Sequence, residues 1–238
     1  MVYGRLASGF RPGVPVVAVG IPSVGSEPDK TYTYEGGFKG EFLDHRLAID
    51  TSLYYIDWKD MQLQLFTPQF QGYWANASGA KSEGVEVSVT SRPLKGLTAS
   101  GWAAYNNAVL TEPLPAATNA YGVPGDRLPM SSRASGHLSL GQTFPLWTGV
   151  TGFATGIVTF VDDRVGIFAP TPQRQKYPPY TTGDLRGGVM FSSWTANVFV
   201  NNVADTRGVL NGGIGYIPAI AFVYIRPRTV GLSISRSF

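Results

Sequence analysis

The chain closes on Thr229-Val230-Gly231-Leu232-Ser233-Ile234-Ser235-Arg236-Ser237-Phe238. Side chains of a strand point alternately to two faces. One face therefore carries Val230, Leu232, Ile234 and Phe238, and the other Gly231, Ser233, Ser235 and Ser237. The alternation runs to the last residue, which is aromatic. A water-soluble sheet ordinarily follows its last core strand with a polar tail. A strand that meets lipid on one side and water on the other can stop on an aromatic at the interface.

The same two-faced pattern recurs upstream. Val85, Val87 and Val89 oppose Gly84, Glu86, Ser88 and Thr90. Leu47, Ile49, Leu53 and Tyr55 share a face with Thr51 and oppose Ala48, Asp50, Ser52 and Tyr54. Ala134, Gly136, Leu138 and Leu140 oppose Arg133, Ser135, His137 and Ser139. Only 15% of the residues are charged and 13% are aromatic, with 29 glycines; a soluble domain carries about 25% charge. The net charge of +3 is too small and too scattered to argue for a nucleic-acid partner. The chain has no cysteine, which excludes disulfides and thiolate metal sites. Its longest apolar stretch, Val209–Ile225, is broken by Gly212, Gly213, Gly215 and Pro218, so no spanning helix is expected.

Ten strands are expected: Val2–Arg11, Thr31–Phe42, Arg46–Asp57, Lys81–Arg92, Leu97–Val109, Ser131–Gln142, Gly149–Val161, Tyr180–Phe191, Thr195–Asn202 and Ala221–Phe238. Short links (Leu43–His45, Pro93–Gly96, around Phe144-Pro145-Leu146, and Ser192–Trp194) alternate strictly with long ones. The long links are Pro12–Lys30, Trp58–Ala80, Leu110–Met130, Asp162–Pro179 and Val203–Ile220. All short turns then lie at one end of the sheet and all long loops at the other, as in transmembrane barrels. The fold class expected is all-β, an antiparallel up-and-down meander of about ten strands. A soluble sheet with one solvated face would share the alternation but not the loop asymmetry. The opening Met1–Gly13 has no charged segment followed by an apolar one, so a parent longer than this chain is expected.

Several segments resemble TonB-dependent outer-membrane receptors, in family order. They are Ser8-Gly9-Phe10-Arg11-Pro12-Gly13, Tyr32–Gly40 followed by Leu47–Gln62 with its Tyr55-Ile56-Asp57-Trp58-Lys59-Asp60, Asn76–Glu86, Val200–Asp205, and the tail from Arg226. The resemblance implies that residues 1–238 are the C-terminal portion of a 22-stranded barrel, an open or half barrel, without its plug domain and signal peptide. It implies residence in the bacterial outer membrane and uptake of a ferric siderophore or similar ligand. The implied partners are that ligand, outer-membrane lipid, the TonB complex through an N-terminal plug, and the barrel-assembly machinery through Phe238. Arg236 departs from the apolar residue usual at the third position from the end.

No enzyme is expected and no cofactor. His45 and His137 lie far apart in the pattern and suggest no metal site. A ten-stranded protease barrel would need a histidine beside carboxylates at the outer rim; Asp162 and Asp163 are there without one. A complete small barrel (porin, adhesin or omptin-like protease) and a soluble binding sandwich stay open as rivals. The long links carry aromatics and arginines suited to stacking on and pairing with an anionic chelate. Tyr73, Trp74, Tyr121 and Arg174 are the ligand-binding candidates. Trp58 and Tyr180 are assigned to the interfacial girdle, and Glu83 and Glu86 to the lumen.

Overall fold

The computed structural model of the chain describes residues 1–15, 26–66, 72–115 and 120–237. Ten strands form one antiparallel sheet in chain order: β1 (Val2–Arg11), β2 (Asp29–Phe42), β3 (Leu47–Phe66), β4 (Gly72–Ser91), β5 (Leu97–Leu110), β6 (Ala134–Trp147), β7 (Val150–Val161), β10 (Tyr180–Phe191), β11 (Trp194–Asn201) and β14 (Thr229–Arg236). Two small ribbons lie in the last two long links. β8 (Arg164–Val165) pairs with β9 (Lys176–Tyr177), and β12 (Val209–Gly212) with β13 (Phe222–Tyr224). The described residues contain no helix. The sheet does not close on itself: β1 and β14 are its two edges.

Register carries the two-faced pattern across the whole sheet. One continuous face holds Leu6, Leu53, Val85, Leu138, Val158, Leu185, Val198 and Leu232. Leu53 is 65% exposed, Leu138 60% and Leu232 68%. No second layer covers this face among the described residues. Aromatic rows bound the aliphatic band on the same face. Tyr32, Tyr34, Tyr55, Tyr105 and Phe160 stand toward the long loops, and Phe38, Phe42, Phe144, Phe191 and Trp194 toward the short turns. Arg236 sits opposite Trp194, its guanidinium 5.4 Å from the indole centre.

The other face is small and polar, with glycines, serines and paired charges such as Lys39 on Asp50 at 2.5 Å. His137 stacks there on Trp102, rings 6.4 Å apart, and meets Thr159 at 3.1 Å. Glu86 belongs to this face. Glu83 does not: it shares a face with Val85 and Val87, and pairs with Lys81 at the rim.

Besides these two ribbons, three segments differ from expectation. The link Trp58–Ala80 is mostly strand, because β3 and β4 continue as a paired ribbon to Phe66 and Gly72. A bulge at Lys59-Asp60, with Asp60 at φ 54°, shifts the register there, and Met61–Leu65 then pairs with Tyr73–Ser78. The turn expected around Pro145 lies instead at Thr148-Gly149, with Gly149 at φ 77°; Pro145 remains in β6 beside a register shift. Ala221–Phe238 is two strands rather than one, because Arg226-Pro227-Arg228 interrupts it. Proline lacks the N–H a ladder needs. Phe238 lies outside the described residues.

The segment Val200–Asp205 shows why its residue types are required. Asn202 and Asp205 adopt positive φ, 51° and 53°, which asparagine and aspartate tolerate better than most residues. The Asn202 amide donates to the carbonyls of Thr206 (2.9 Å) and Arg226 (3.0 Å), and its oxygen accepts the Thr206 N–H (2.9 Å). The Asp205 carboxylate accepts the Arg228 N–H at 2.8 Å, which holds its carboxyl below the usual aspartate range. One buried side chain therefore joins the end of β11 to the approach of β14. Asn202→Ala removes all three bonds and is expected to cost about 2–3 kcal/mol, read as a shift of the urea midpoint in a bilayer mimetic.

Candidate functional site

Buried packing concentrates at the long-loop end. Met61, Ala80, Leu110 and Leu114 form a buried cluster, with Trp58, Leu63, Tyr73, Ala120, Leu128 and Phe168 packed against it. These residues come from the β3–β4 ribbon, β5, the β5–β6 link and the β7–β10 link. The described parts of these three links therefore make one folded cap.

Hydrogen bonds stitch the cap together. Tyr121 N–H donates to Ala169 (2.7 Å) and Met130 N–H to Val165 (2.9 Å). Arg127 pairs with Asp163 at 2.8 Å and also donates to the Asp163 and Ser131 carbonyls. Arg164 is buried, flanked by the rings of Tyr177 (5.8 Å) and Tyr180 (5.5 Å), and donates to the Val209 carbonyl at 2.5 Å. Tyr177 is 0% exposed, its hydroxyl donates to the Gly212 carbonyl at 2.8 Å, and burial raises its pKa.

The four candidate ligand residues fall in two groups. Tyr73 packs on the buried cluster; Phe168 packs on the same cluster and lies under the Arg174 guanidinium, 4.3 Å from the ring centre. Tyr121 is exposed and joins Ala169, next to Phe168. The cap thus brings Tyr73, Tyr121 and Arg174 around residues 166–169. Arg174 donates to the carbonyls of Gly166 and Arg127 (2.5–3.0 Å), and its burial among the loops lowers its pKa from the usual arginine value.

Trp74 belongs elsewhere. It follows Tyr73 on β4 and therefore faces the other way. Its ring and that of Trp58 flank Arg11, at 5.9 and 5.8 Å. Arg11 donates to the buried Asp29 carboxylate (2.5 Å) and to the Gln62 carbonyl (3.0 Å). Asp29 also accepts the Trp58 indole N–H (3.1 Å) and the Gln62 N–H (3.2 Å). Arg11→Met keeps the length and removes the charge, leaving the Asp29 carboxylate, 3% exposed, without its cation. A loss of about 2–4 kcal/mol is expected, measured by chemical unfolding, with loosened indole packing read from Trp fluorescence.

Trp58 and Tyr180 do not stand in the aromatic rows. Both share the polar face, Trp58 with Tyr54 and Tyr180 with Thr182. Sequence reading missed Arg11 and Phe168, because a strand-end arginine and a single phenylalanine in a loop carry no pattern of their own. His45 sits in the β2–β3 turn against Glu41. Among the described residues no three His, Asp or Glu side chains gather as a metal site.

The sheet and cap match known structures. The ferric yersiniabactin uptake receptor FyuA from Yersinia pestis superposes with a TM-score of 0.78 at 23% identity, over 98% of this chain and 34% of that one. The pyoverdine outer membrane receptor FpvA from Pseudomonas aeruginosa gives 0.72 at 18%, over 100% and 34%. The copper transporter OprC gives 0.74 at 15%, over 100% and 37%. At these identities the likeness is one of fold, and the chain spans about a third of the length of each. A family profile described as TonB dependent receptor-like, beta-barrel matches residues 1–203. The chain therefore belongs to the TonB-dependent receptor β-barrel family.

Proposed function

We propose that the chain is barrel wall and ligand vestibule of an outer-membrane receptor that takes up a ferric siderophore or a similar chelate. The observation that carries this reading is the uncovered aliphatic face bounded by two aromatic rows. Leaving one leucine side chain in water forgoes roughly 2 kcal/mol, so a whole face of them calls for hydrocarbon. Tyr32 and Phe42 stand ten residues apart on β2, about 33 Å along the strand. At a tilt near 40° this gives about 25 Å of height, the apolar band of an outer-membrane barrel. The opposite face then borders the lumen. Plug, TonB complex and assembly machinery are the partners this reading gives to the whole receptor.

In the vestibule Tyr121 and Trp74 are exposed, Trp74 with the Arg11 guanidinium over its ring, and Tyr73 backs the cap. Arg174 contributes a fixed positive charge more than free donors. No bond is made or broken; the ligand is bound and released inward. Siderophore receptors and a copper transporter share this fold, so the growth panel includes ferric and cupric chelates.

Deletion of the gene in its own organism tests the reading. Under iron starvation the mutant is expected to lose growth on one member of a ferric-siderophore panel. Unchanged growth on every member, with cupric chelates also unaffected, would count against uptake. Complementation with Trp74→Ala or Tyr121→Ala is expected to raise the half-saturating ligand concentration about tenfold.

A further inference from the structure

The β11–β14 link is unlike the other loops. From Gly208 to Ile225 it contains no charged residue. Its hairpin, β12–β13, ends in a tip whose Ile217 is 81% and Ile220 86% exposed, with Ile214 also exposed. Free isoleucines at a loop tip could reflect a loose loop, but this one is held. Gly213 N–H donates to Ala221 (3.0 Å), Tyr216 N–H to Gly213 (3.0 Å) and Ala221 N–H to Pro218 (3.0 Å). The Tyr177 hydroxyl holds the Gly212 carbonyl, and the Gln175 side-chain oxygen accepts the Ile214 N–H at 3.3 Å. Gly213 and Gly215, both at positive φ, let the hairpin lie on Gln175 and Ile167, where a Cβ would come within 2.2 and 2.8 Å of those side chains.

Two further facts place the tip. Gly208 at its base lies against the Tyr180 ring, which belongs to the polar face of β10. The hairpin therefore rises from the lumen side of the wall, away from the aliphatic band. Ile167, which Gly215 approaches, is two residues from Ala169, which binds Tyr121. The tip and Tyr121 thus flank the same short segment of the cap.

We infer that the hairpin tip, through Ile214, Ile217 and Ile220, is a specificity-determining surface for an uncharged apolar portion of the imported ligand. This rests on the receptor reading above and narrows it. Three cap arginines are already engaged: Arg127 by Asp163, Arg164 by two tyrosine rings and a carbonyl, and Arg174 by carbonyls and Phe168. What the hairpin adds on the lumen side is hydrocarbon. A second copy of the chain is a poor occupant, since a seven-residue tip offers on the order of a few hundred Å², against about 800 Å² per partner in a standard interface.

The test uses the full chain in detergent micelles, with the β-sheet circular dichroism signal as fold control. Two neutral ferric tris-hydroxamate chelates serve as probes, one with methyl and one with phenyl substituents. The phenyl chelate is expected to bind about tenfold more tightly. Ile217→Asp with Ile220→Asp is expected to abolish that preference, so that the two chelates bind alike. Ile217→Ala with Ile220→Ala, which adds no charge, should lose most of it as well. Equal affinity for both chelates, or a preference untouched by either variant, overturns the inference and leaves the receptor reading standing. Binding of neither chelate by folded protein would count against the receptor reading itself, and this inference with it. Concentration-dependent dimers abolished by the aspartates would overturn it in favour of self-association.

Discussion

Leu138→Arg is expected to keep the chain out of a bilayer, while Ser139→Arg, one residue along, leaves insertion nearly intact. Leu138 lies midway along the aliphatic face of β6, between Gly101 on β5 and Val158 on β7. An arginine near the middle of the hydrocarbon band costs roughly 2–4 kcal/mol, and insertion equilibria shift by a factor of ten for each 1.4 kcal/mol. Ser139 lies between Ser100 and Ile157 on the polar face, where water or lumen contents receive the guanidinium. The two variants carry the same charge at neighbouring positions, so composition cannot explain a difference. Folding into lipid vesicles, followed by heat-modifiable gel mobility, reads the inserted fraction. Equal insertion of both would mean that neither face meets lipid.

Tyr177→Ala should have the largest effect within the cap. The side chain is wholly buried, flanks Arg164, and holds the Gly212 carbonyl. Truncating a buried aromatic costs about 3–5 kcal/mol, and here the buried Arg164 charge also loses one of its two ring neighbours. The expected result is opening of the β12–β13 hairpin with the ten-stranded sheet unchanged. Amide exchange at residues 209–224 should rise by two orders of magnitude or more, while β6, β7 and β10 keep their protection. Tyr177→Phe keeps the ring and loses only the hydroxyl bond, about 1 kcal/mol, so its exchange rates should lie much nearer the parent's.

Strands with strict alternation and ordinary turns were legible in the sequence to the residue: Val2–Arg11 and Tyr180–Phe191 have the bounds their pattern implies. Legibility failed where a second force overrode alternation. The ribbon beyond Trp58 carries the Gly and aromatic residues of loops, yet its ladder continues past a bulge at Asp60. Pro145 looks like a turn residue and is absorbed by a register shift. The cap was the least legible part, because its order comes from contacts between links distant in sequence. Leu114 and Phe168 are ordinary apolar residues until the fold brings them together. The aromatics and arginines of the long links were visible as a set. Which of them would be consumed in packing, as Tyr177 and Arg164 are, depends on burial that no local pattern encodes.

The placement of the buried cluster has a further consequence. Among the described residues the wall holds only scattered buried side chains such as Val150 and Asn197, while the cap has an interior built from Met61, Ala80, Leu110 and Leu114. The two halves of the molecule therefore answer to different surroundings. Shortening the surfactant tail should soften the wall and hardly touch the loops, whereas moderate urea should melt the loops first. A single midpoint reported for this chain would describe an average of two events that a change of amphiphile can pull apart.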